Sequence, residues 1–517
     1  MQEAKMVLYN DVRKNTYYDS VTLMLFSGNL TSTKGVKDAS VMMGTDHNKS
    51  IMLKAGILSQ EAAEKASPND LVIGILADSD ETMENAVKVL EEQFENKTKA
   101  AAVDGRIKVK TQDAAVKQLG KPNFAVISLP GKYAANEAMK AMKNGMHVLL
   151  FSDNITLEEE NRLKDYAVEH ELLMMGPDCG TAIVNGNALG FANIVRRGDI
   201  GLVAAAGTGL QEVTVLIDRM GGGVSQALGT GGRDVKDEVG GKMMISALKA
   251  LNEDPMTKVI GIVSKPPAPG VMEKIMELTA SFNKVVVACF LGGDPTLVAK
   301  SGAVFASTIE EAAALLVDIS KGIKPEHENA AQLEELAAAE LNSYSDKQRF
   351  IRGLYSGGSL CFESMLLVES AVGHVFSNIS HDEFELVDVD NSHDNCFVDM
   401  GDDYFTDGMP HPMIDPRLRV ERIKKEAQDE SVAVMLLDCV LGYGSHEDPA
   451  GALAGAIEEA NKAAGGRHIT YIASVCGTEG DFQNRTEQEA KLRNAGVIVM
   501  DSNARAAKLA AEILKNI

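Results

Sequence analysis

One order of strand, glycine loop and helix occurs twice between residue 200 and residue 517, and this recurrence constrains the fold more than any other feature of the chain. In the first copy Ile200–Ala205 reads as a strand, Gly207-Thr208-Gly209 as a tight loop and Leu210-Gln211-Glu212 as a helix start; Arg352–Tyr355, Gly357-Gly358-Ser359 and Leu360–Glu363 run the same way. Gly231-Gly232-Arg233-Asp234 follows a strand in copy one, and Met400-Gly401-Asp402-Asp403 follows one in copy two. Strand Val259–Val263 leads to Lys265-Pro266-Pro267 as strand Ala433–Val440 leads to Gly442-Tyr443-Gly444. Val285–Phe290 with Gly292-Gly293 matches Ile469–Val475 with Gly477, and Ser301–Val304 before a last helix matches Asn494–Val497 before the C-terminal helix. Corresponding points in one order imply a duplicated α/β unit.

The rest of the chain has the same alternation of short apolar runs with amphipathic stretches, so the expected fold class is multi-domain α/β with Rossmann-like or flavodoxin-like parallel sheets. Residues 1–100 form a small N-terminal α/β domain, with strands near Met6–Tyr9, Ala39–Met43 and Leu71–Leu76 and helices Ser20–Leu30 and Glu81–Glu95; Lys97–Gly105 reads as a linker. Residues 101–196 hold strands Phe124–Ser128, His147–Phe151 and Leu172–Met175, a truncated Rossmann domain ending in the turn Gly176–Thr181. The duplicated domains span 197–320 and 348–517, and 321–347, rich in Ala, Glu and Leu with Pro325, reads as a helical, solvated linker.

The formal net charge of −23 excludes a polyanion as partner, since no Lys/Arg run concentrates positive charge locally. Small anions stay open, because a few backbone N–H groups set the sign of a pocket independently of the whole. The six cysteines stand singly without C-x-x-C spacing, so neither a zinc site nor a disulfide framework is expected; Cys289, Cys439 and Cys476 read as buried small hydrophobes. No leader or membrane span is recognisable, and the expected address is cytoplasmic.

A helix N-terminus presents unpaired N–H groups and the positive end of a dipole, and glycine lets a phosphate oxygen approach the backbone. Gly207, Thr208 and Gly209 are therefore candidate phosphate ligands, as are Gly442, Tyr443 and Gly444, with Asp448-Pro449 starting the following helix; tight turns with no ligand are the alternative for both. Neither loop has the spacing of a Walker or dinucleotide site, which excludes ATP and NAD by those routes. The stretch Met400–Arg417 gathers Asp402, Asp403, Asp407, His411, Asp415 and Arg417 between Gly and Pro, either a functional loop with room for Mg²⁺ or a solvated acidic one. Lys265 and Arg233 are cations at the same strand ends.

Met175–Thr181 resembles the "IGPNC" turn of the succinyl-CoA synthetase α subunit, which makes Pro177, Asp178 and Cys179 CoA-binding-like positions. Ala206–Glu212 resembles its "SGTLTYE" helix start, and Ala433–Gly444 with Ile472–Glu479 resembles the carboxy-terminal domain of the β subunit. Nearly the whole chain is similar to the FdrA proteins, which implies a succinyl-CoA synthetase-like scaffold with two ligase-type domains. It departs from the synthetase in three ways: no histidine lies between His170 and His327, where the phosphohistidine loop belongs, no ATP-grasp domain is recognisable, and no CoA-holding glycine loop precedes Val126. The FdrA resemblance implies a subunit that acts with two partner subunits as an oxamate carbamoyltransferase, converting oxalurate and phosphate to oxamate and carbamoyl phosphate in anaerobic allantoin and purine breakdown. Phosphate and carbamoyl phosphate are then substrates, Lys265, Arg233, His411, Asp415 and Arg417 meet the organic acid, no resident cofactor is assigned, with Mg²⁺ left open and CoA not expected, and a homo-oligomer is compatible. An acyl-CoA ligase working with a separate ATP-grasp partner and a non-catalytic metabolite-binding subunit are the competing readings.

Overall fold

The computed structural model describes residues 6–18, 20–103, 109, 111–323, 331–380, 383–406 and 409–517. They form two compact units, Met1–Lys110 with Thr406–Pro410, and Thr111–Phe405 with His411–Ile517. Among the described residues no helix is long and apolar enough to cross a membrane.

The first unit contains β1 (Val7–Arg13), α1 (Ser20–Thr31), β2 (Val36–Met43), α2 (Asp46–Lys54), α3 (Gln60–Lys65), β3 (Leu71–Ala77) and α4 (Asp80–Val103). Its sheet has the order β1-β3-β2 and is antiparallel throughout, unlike the mainly parallel sheets of the other unit. The central strand Leu-Val-Ile-Gly-Ile-Leu-Ala is a continuous apolar run because both its faces are covered. Leu30, Leu90 and Phe94 pack one face, and Met52, Ile57 and Leu58 the other. Helix α4 continues through Lys97–Val103, where a linker was expected; Ala100-Ala101-Ala102 has the highest helix propensity and no Pro or Gly interrupts it.

The second unit begins with α5 (Gln112–Leu119), β4 (Phe124–Ile127), α6 (Gly131–Lys143), β5 (His147–Leu150), α7 (Leu157–Glu169) and β6 (Met174–Met175), whose strands form a small parallel sheet. The hairpin β7 (Thr181–Val184) and β8 (Asn187–Gly190) follows. Copy one comprises β9 (Arg197–Ala204), α8 (Gly207–Arg219), β10 (Val224–Gly229), α9 (Lys242–Glu253), β11 (Val259–Ser264), α10 (Pro269–Ala280), β12 (Val285–Phe290), α11 (Pro295–Ala299), β13 (Val304–Phe305) and α12 (Ile309–Lys321), with α13 (Ala331–Glu340) after it. Copy two comprises β14 (Phe350–Tyr355), α14 (Gly358–Val372), β15 (Phe376–Ser377), β16 (Cys396–Asp399), α15 (Asp403–Thr406), α16 (Arg417–Glu426), β17 (Val432–Val440), α17 (Pro449–Ala463), β18 (Thr470–Cys476), α18 (Arg485–Asn494), β19 (Ile498–Met500) and α19 (Asn503–Leu514).

Strand order runs β13-β12-β11-β9-β10 in copy one and β19-β18-β17-β14-β16 in copy two, all parallel. With β9 matched to β14 and β10 to β16, the two orders are identical, and the duplication read from the loops is present in the sheets. Copy one extends its edge by pairing β10 with β7. A single apolar core shared by both copies includes Leu210, Val213 and Ile217 from α8, Leu316 from α12, Leu360 and Val368 from α14, and Leu509 and Ile513 from α19.

Two buried carboxylates stitch the copies reciprocally. Glu212 of α8 accepts the N–H of Asn503, the first residue of α19, at 3.1 Å. Glu363, at the matching place on α14, accepts the N–H of Ile309, the first residue of α12, at 2.7 Å. Each copy thus supplies a carboxyl acceptor for a free N–H at the N-terminus of the other's last helix. Helix α13 is not solvated as expected: Ala337 is buried and Leu333 and Leu336 pack on the shared core, since the leucines recur at helical spacing. Pro325 lies outside the described residues. All six cysteines are buried and free.

Candidate active site

Open parallel sheets bind ligands at the carboxyl ends of their strands, and in both copies a glycine-rich turn there begins a helix. Helix α8 starts at Gly207 after Ala206, with no side-chain cap and no acidic residue in its first turn. Among the described residues no acceptor takes the N–H of Gly207, Thr208 or Gly209, so this helix end keeps its anion-binding capacity.

The helix facing it is α14. A Cβ at Gly357 would fall 2.7 Å from the Thr208 methyl, and one at Gly209 would fall 3.3 Å from Ser359 Cβ. The absence of side chains at these two positions lets the helix ends meet. Here the protein supplies its own anions: Asp438, at the end of β17, accepts the N–H groups of Ser356 at 3.0 Å and Gly357 at 2.9 Å and is held by Arg419 at 2.7 Å.

Asp399, at the end of β16, places Oδ2 against Gly358 in the first turn of α14, while Oδ1 accepts the Gly401 N–H at 2.9 Å. Burial, then the carboxylates of Asp402 and Asp438, push its acid up to about 7 against the opposing pull of Gly401 and Lys265. Next to it is His411: a Cβ on Gly401 would lie 2.8 Å from His411 Nε2 and 3.2 Å from Asp399 Oδ1. His411 Nδ1 accepts the Met413 N–H at 3.2 Å, which leaves the ring proton on Nε2. Burial brings this imidazole down to about 4, so it is neutral near pH 7 and can only donate from Nε2. A carboxyl near 7 beside a neutral imidazole is a pair whose surroundings have driven it toward acid–base work.

Lys265, which follows β11 of copy one, holds its ammonium 4.4 Å over the Phe362 ring of α14. Crowding by the protein lowers its pKa, and Asp399 and Asp402 oppose that shift. A cation from one copy therefore faces the carboxylate of the other.

The second predicted loop is tied to the first through Phe191–Asn193. Thr181 Oγ1 donates to Phe191 O at 2.7 Å, and the Phe191 ring lies 5.8 Å from that of His411. Asn193 accepts from Gln211 of α8 at 3.1 Å and donates to Leu441 O at 3.0 Å. Within the loop itself, Gly442 N–H goes to Gln483 at 3.1 Å, Tyr443 N–H to Ala192 O at 2.9 Å and Ser445 N–H to Gly442 O at 3.3 Å. Helix α17 starts only at Pro449, capped by Asp448. The N–H groups of Gly442 and Tyr443 are thus spent inside the protein, unlike those of Gly207–Gly209.

The other candidates have partners of their own. Arg233 binds Glu160 and Ile155 O, both at 2.8 Å, next to the buried trio Lys164, Glu160 and Asp234. Asp415 and Arg417 pair with one another at 2.6 Å on the surface, a local contact across two residues. Pro177 is buried, and Cys179, pushed up to about 12 by burial, gives its Sγ–H to Thr181 O and does not act as a nucleophile. Asp178 keeps an exposed edge, and crowding by the protein with Asp153 and Asp403 near raises it to about 6. Asp407 lies outside the described residues; among those described, no three acidic, His or Cys groups gather as a metal requires. Reading the sequence did not single out Asp399 or Asp438, which sit as the last polar residue of one strand and near the end of another.

Family models match three stretches: "AllF, heavy metal-associated domain" at residues 6–111, "CoA binding domain" at 196–292 and "CoA-ligase" at 354–513. Residues 6–111 contain no cysteine and a single histidine, His47, which does not fit the thiolate set that soft metals select. The uncharacterized protein YahF of Escherichia coli (strain K12) is 44% identical over 507 residues, covering 97% of this chain and 98% of YahF. The α subunit of ADP-forming succinate–CoA ligase from Aquifex aeolicus is 30% identical over 169 residues, 32% of this chain and 54% of that subunit, so the chain spans about half of it. Among solved structures, the apo dinucleotide-forming acetyl-coenzyme A synthetase 1 of Ca. Korarchaeum cryptofilum aligns over 76% of this chain and 83% of its own, with 15% identity and a TM-score of 0.32.

Proposed function

Since the chain belongs to the family of the Escherichia coli protein YahF, which it matches over nearly its whole length, we propose that it is the phosphate-gripping subunit of an oxamate carbamoyltransferase, acting with two partner subunits. The observation that carries this reading is the α8 N-terminus: uncapped, free of acid, and abutted at Thr208 by Gly357 at the start of α14, the helix whose first turn meets Asp399 and whose Phe362 lies under Lys265. The chain keeps the synthetase-like grip on phosphate but has no histidine between residues 170 and 327 to relay a phosphoryl group.

In this reading the N–H groups of Gly207–Gly209 hold inorganic phosphate while Lys265 meets the carboxylate of oxalurate. A phosphate oxygen attacks the carbamoyl carbon; the C–O bond forms and the C–N bond to the oxamate nitrogen breaks. The proton that phosphate gives up goes by way of Asp399 to that nitrogen, and the neutral Nε2–H of His411 steadies the charge on the carbamoyl oxygen. Gly442–Gly444 form the wall that Phe191–Asn193 hold against α8. Because the N–H groups of Gly442 and Tyr443 are engaged, phosphate contact with those two is assigned to a rearranged state with the partners bound.

A second reading, a subunit of an acyl-CoA ligase with a separate ATP-grasp partner, is favoured by the matches to the CoA-binding and CoA-ligase models. Carbamoyl phosphate formation from oxalurate and phosphate, measured with the chain co-expressed with its genomic neighbours, tests the first. Inactivity of the full complex together with tight CoA binding by calorimetry would transfer support to the second.

A further inference from the structure

A separate cleft of about 470 Å³ opens on the seam between the copies. Its walls include Ile194 and Val195 before copy one, Arg219 at the end of α8, Thr478 after β18 and Arg485 at the start of α18; two carboxylates also line it, Asp218, which is paired with Arg196 at 2.8 Å, and Glu479, which accepts from the Thr486 hydroxyl at 2.8 Å. Arg219 and Arg485 are largely enclosed, at 15% and 18% side-chain exposure. Burial, then the like charge of Arg485, lowers the pKa of Arg219. The carboxylate they share is Asp501, 3.4 Å from Arg219 and 3.9 Å from Arg485, and it is 68% exposed and so weakly effective. Arg485 has one close pairing, with Glu489 at 2.6 Å, and Glu489 also serves Arg493 at 2.9 Å.

Two features of Arg485 are costly as they stand. Its Nε–H is buried without an acceptor, and such an atom destabilises by the desolvation of a charged donor. It also sits in the first turn of a 10-residue helix, where the dipole disfavours a cation. A bound anion offsets the second of these and separates the two guanidiniums electrostatically.

We propose that this cleft is a second oxyanion site, in which Arg219 and Arg485 clamp the carboxylate or phosphate of a small organic metabolite whose body rests on Ile194 and Val195. Helix α8 has 13 residues, so the cleft lies about 20 Å along it from the phosphate-gripping end at ~1.5 Å per residue. That separation rules out direct chemistry between the sites and makes the second anion an effector or a handle, independent of the reaction carried at the first.

The test titrates the full chain by calorimetry with inorganic phosphate and, separately, with malonate, for the wild type, an Arg219→Gln/Arg485→Gln variant, an Arg485→Lys variant and Gly209→Val. The wild type is expected to bind at two places, and the double variant to lose one of them by at least tenfold in Kd while matching or exceeding the wild-type Tm in anion-free buffer. Arg485→Lys keeps the charge and loses the fork, and should weaken the same event less. Gly209→Val should lose only the other event. A response to phosphate alone assigns a phosphate ester, and a response to malonate alone assigns a carboxylate. Unchanged binding of both anions in the double variant overturns the proposal.

Discussion

Replacing Glu363 with Gln should change how stability depends on pH, because this carboxyl is enclosed in the seam at 2% exposure. Burial raises its acid from 4.5 to about 7, against the lowering effect of the Asn503 amide and the Ile309 N–H. Between those values the native state holds a proton that the unfolded chain has released. Stability therefore rises as pH falls through about 7, and the gain is complete below the unfolded value. At ~1.4 kcal/mol per unit, the 2.5-unit interval from 4.5 to about 7 amounts to roughly 3 kcal/mol of native-state cost at pH 8 that is absent near pH 4. Glutamine is isosteric with the protonated acid and does not titrate. The difference in unfolding free energy between variant and wild type should thus shift toward the variant by about 3 kcal/mol from pH 4.5 to 8. Denaturant melts across that range measure it. Glu363→Ala serves as control, losing about 3–5 kcal/mol from two stranded donors and a cavity, and likewise without the wild-type slope. Parallel pH curves for wild type and Glu363→Gln would refute the reasoning.

Gly209→Val places side-chain carbon where Ser359 and Ala206 already lie 3.3 Å from a Cβ; phosphate affinity should fall at least tenfold and turnover should vanish, whereas retained turnover would favour a non-catalytic binding subunit. Asp399→Asn should lower kcat on the order of 100-fold, the usual scale for a lost general acid–base, and erase a limb near pH 7 in the pH–rate profile; an unaltered profile removes Asp399 from the proton path. Lys265→Ala takes away the cation that holds Asp399 down, so that limb should move to higher pH while KM for the anionic substrate rises about tenfold. A limb that stays put would mean Lys265 does not act on Asp399.

The duplication was legible because glycine and proline punctuate strand ends, and the two sheet orders carry the same sequence of loops. The α8 helix start was legible for the same reason. What stayed hidden was which loops face each other: Gly357-Gly358-Ser359 was visible as the counterpart of Gly207-Thr208-Gly209, but nothing local in either says that Gly357 abuts Thr208. Asp399 ends an apolar strand and reads as a turn residue; its altered acidity comes from Asp402, Asp438 and burial, which only tertiary structure supplies. Arg233 and Arg417 looked free in sequence because their partners, Glu160 and Asp415, are set by side-chain reach and not by any motif. The continuation of α4 past Lys97 was readable from alanine propensity and was outweighed by polar composition.

The reciprocal capping has a consequence for biosynthesis. Glu212 waits for an N–H that lies 291 residues further along the chain, so a ribosome that works from the N-terminus delivers copy one long before its stitch is available. Until α19 emerges, Glu212 lacks that donor and Glu363 lacks the Asn503 amide that satisfies its second oxygen at 2.8 Å. A chain that stops short of Asn503 leaves the shared core open beside two carboxyls that lack these donors. Closure of the seam between the copies is in this way made conditional on translation having reached the final helix.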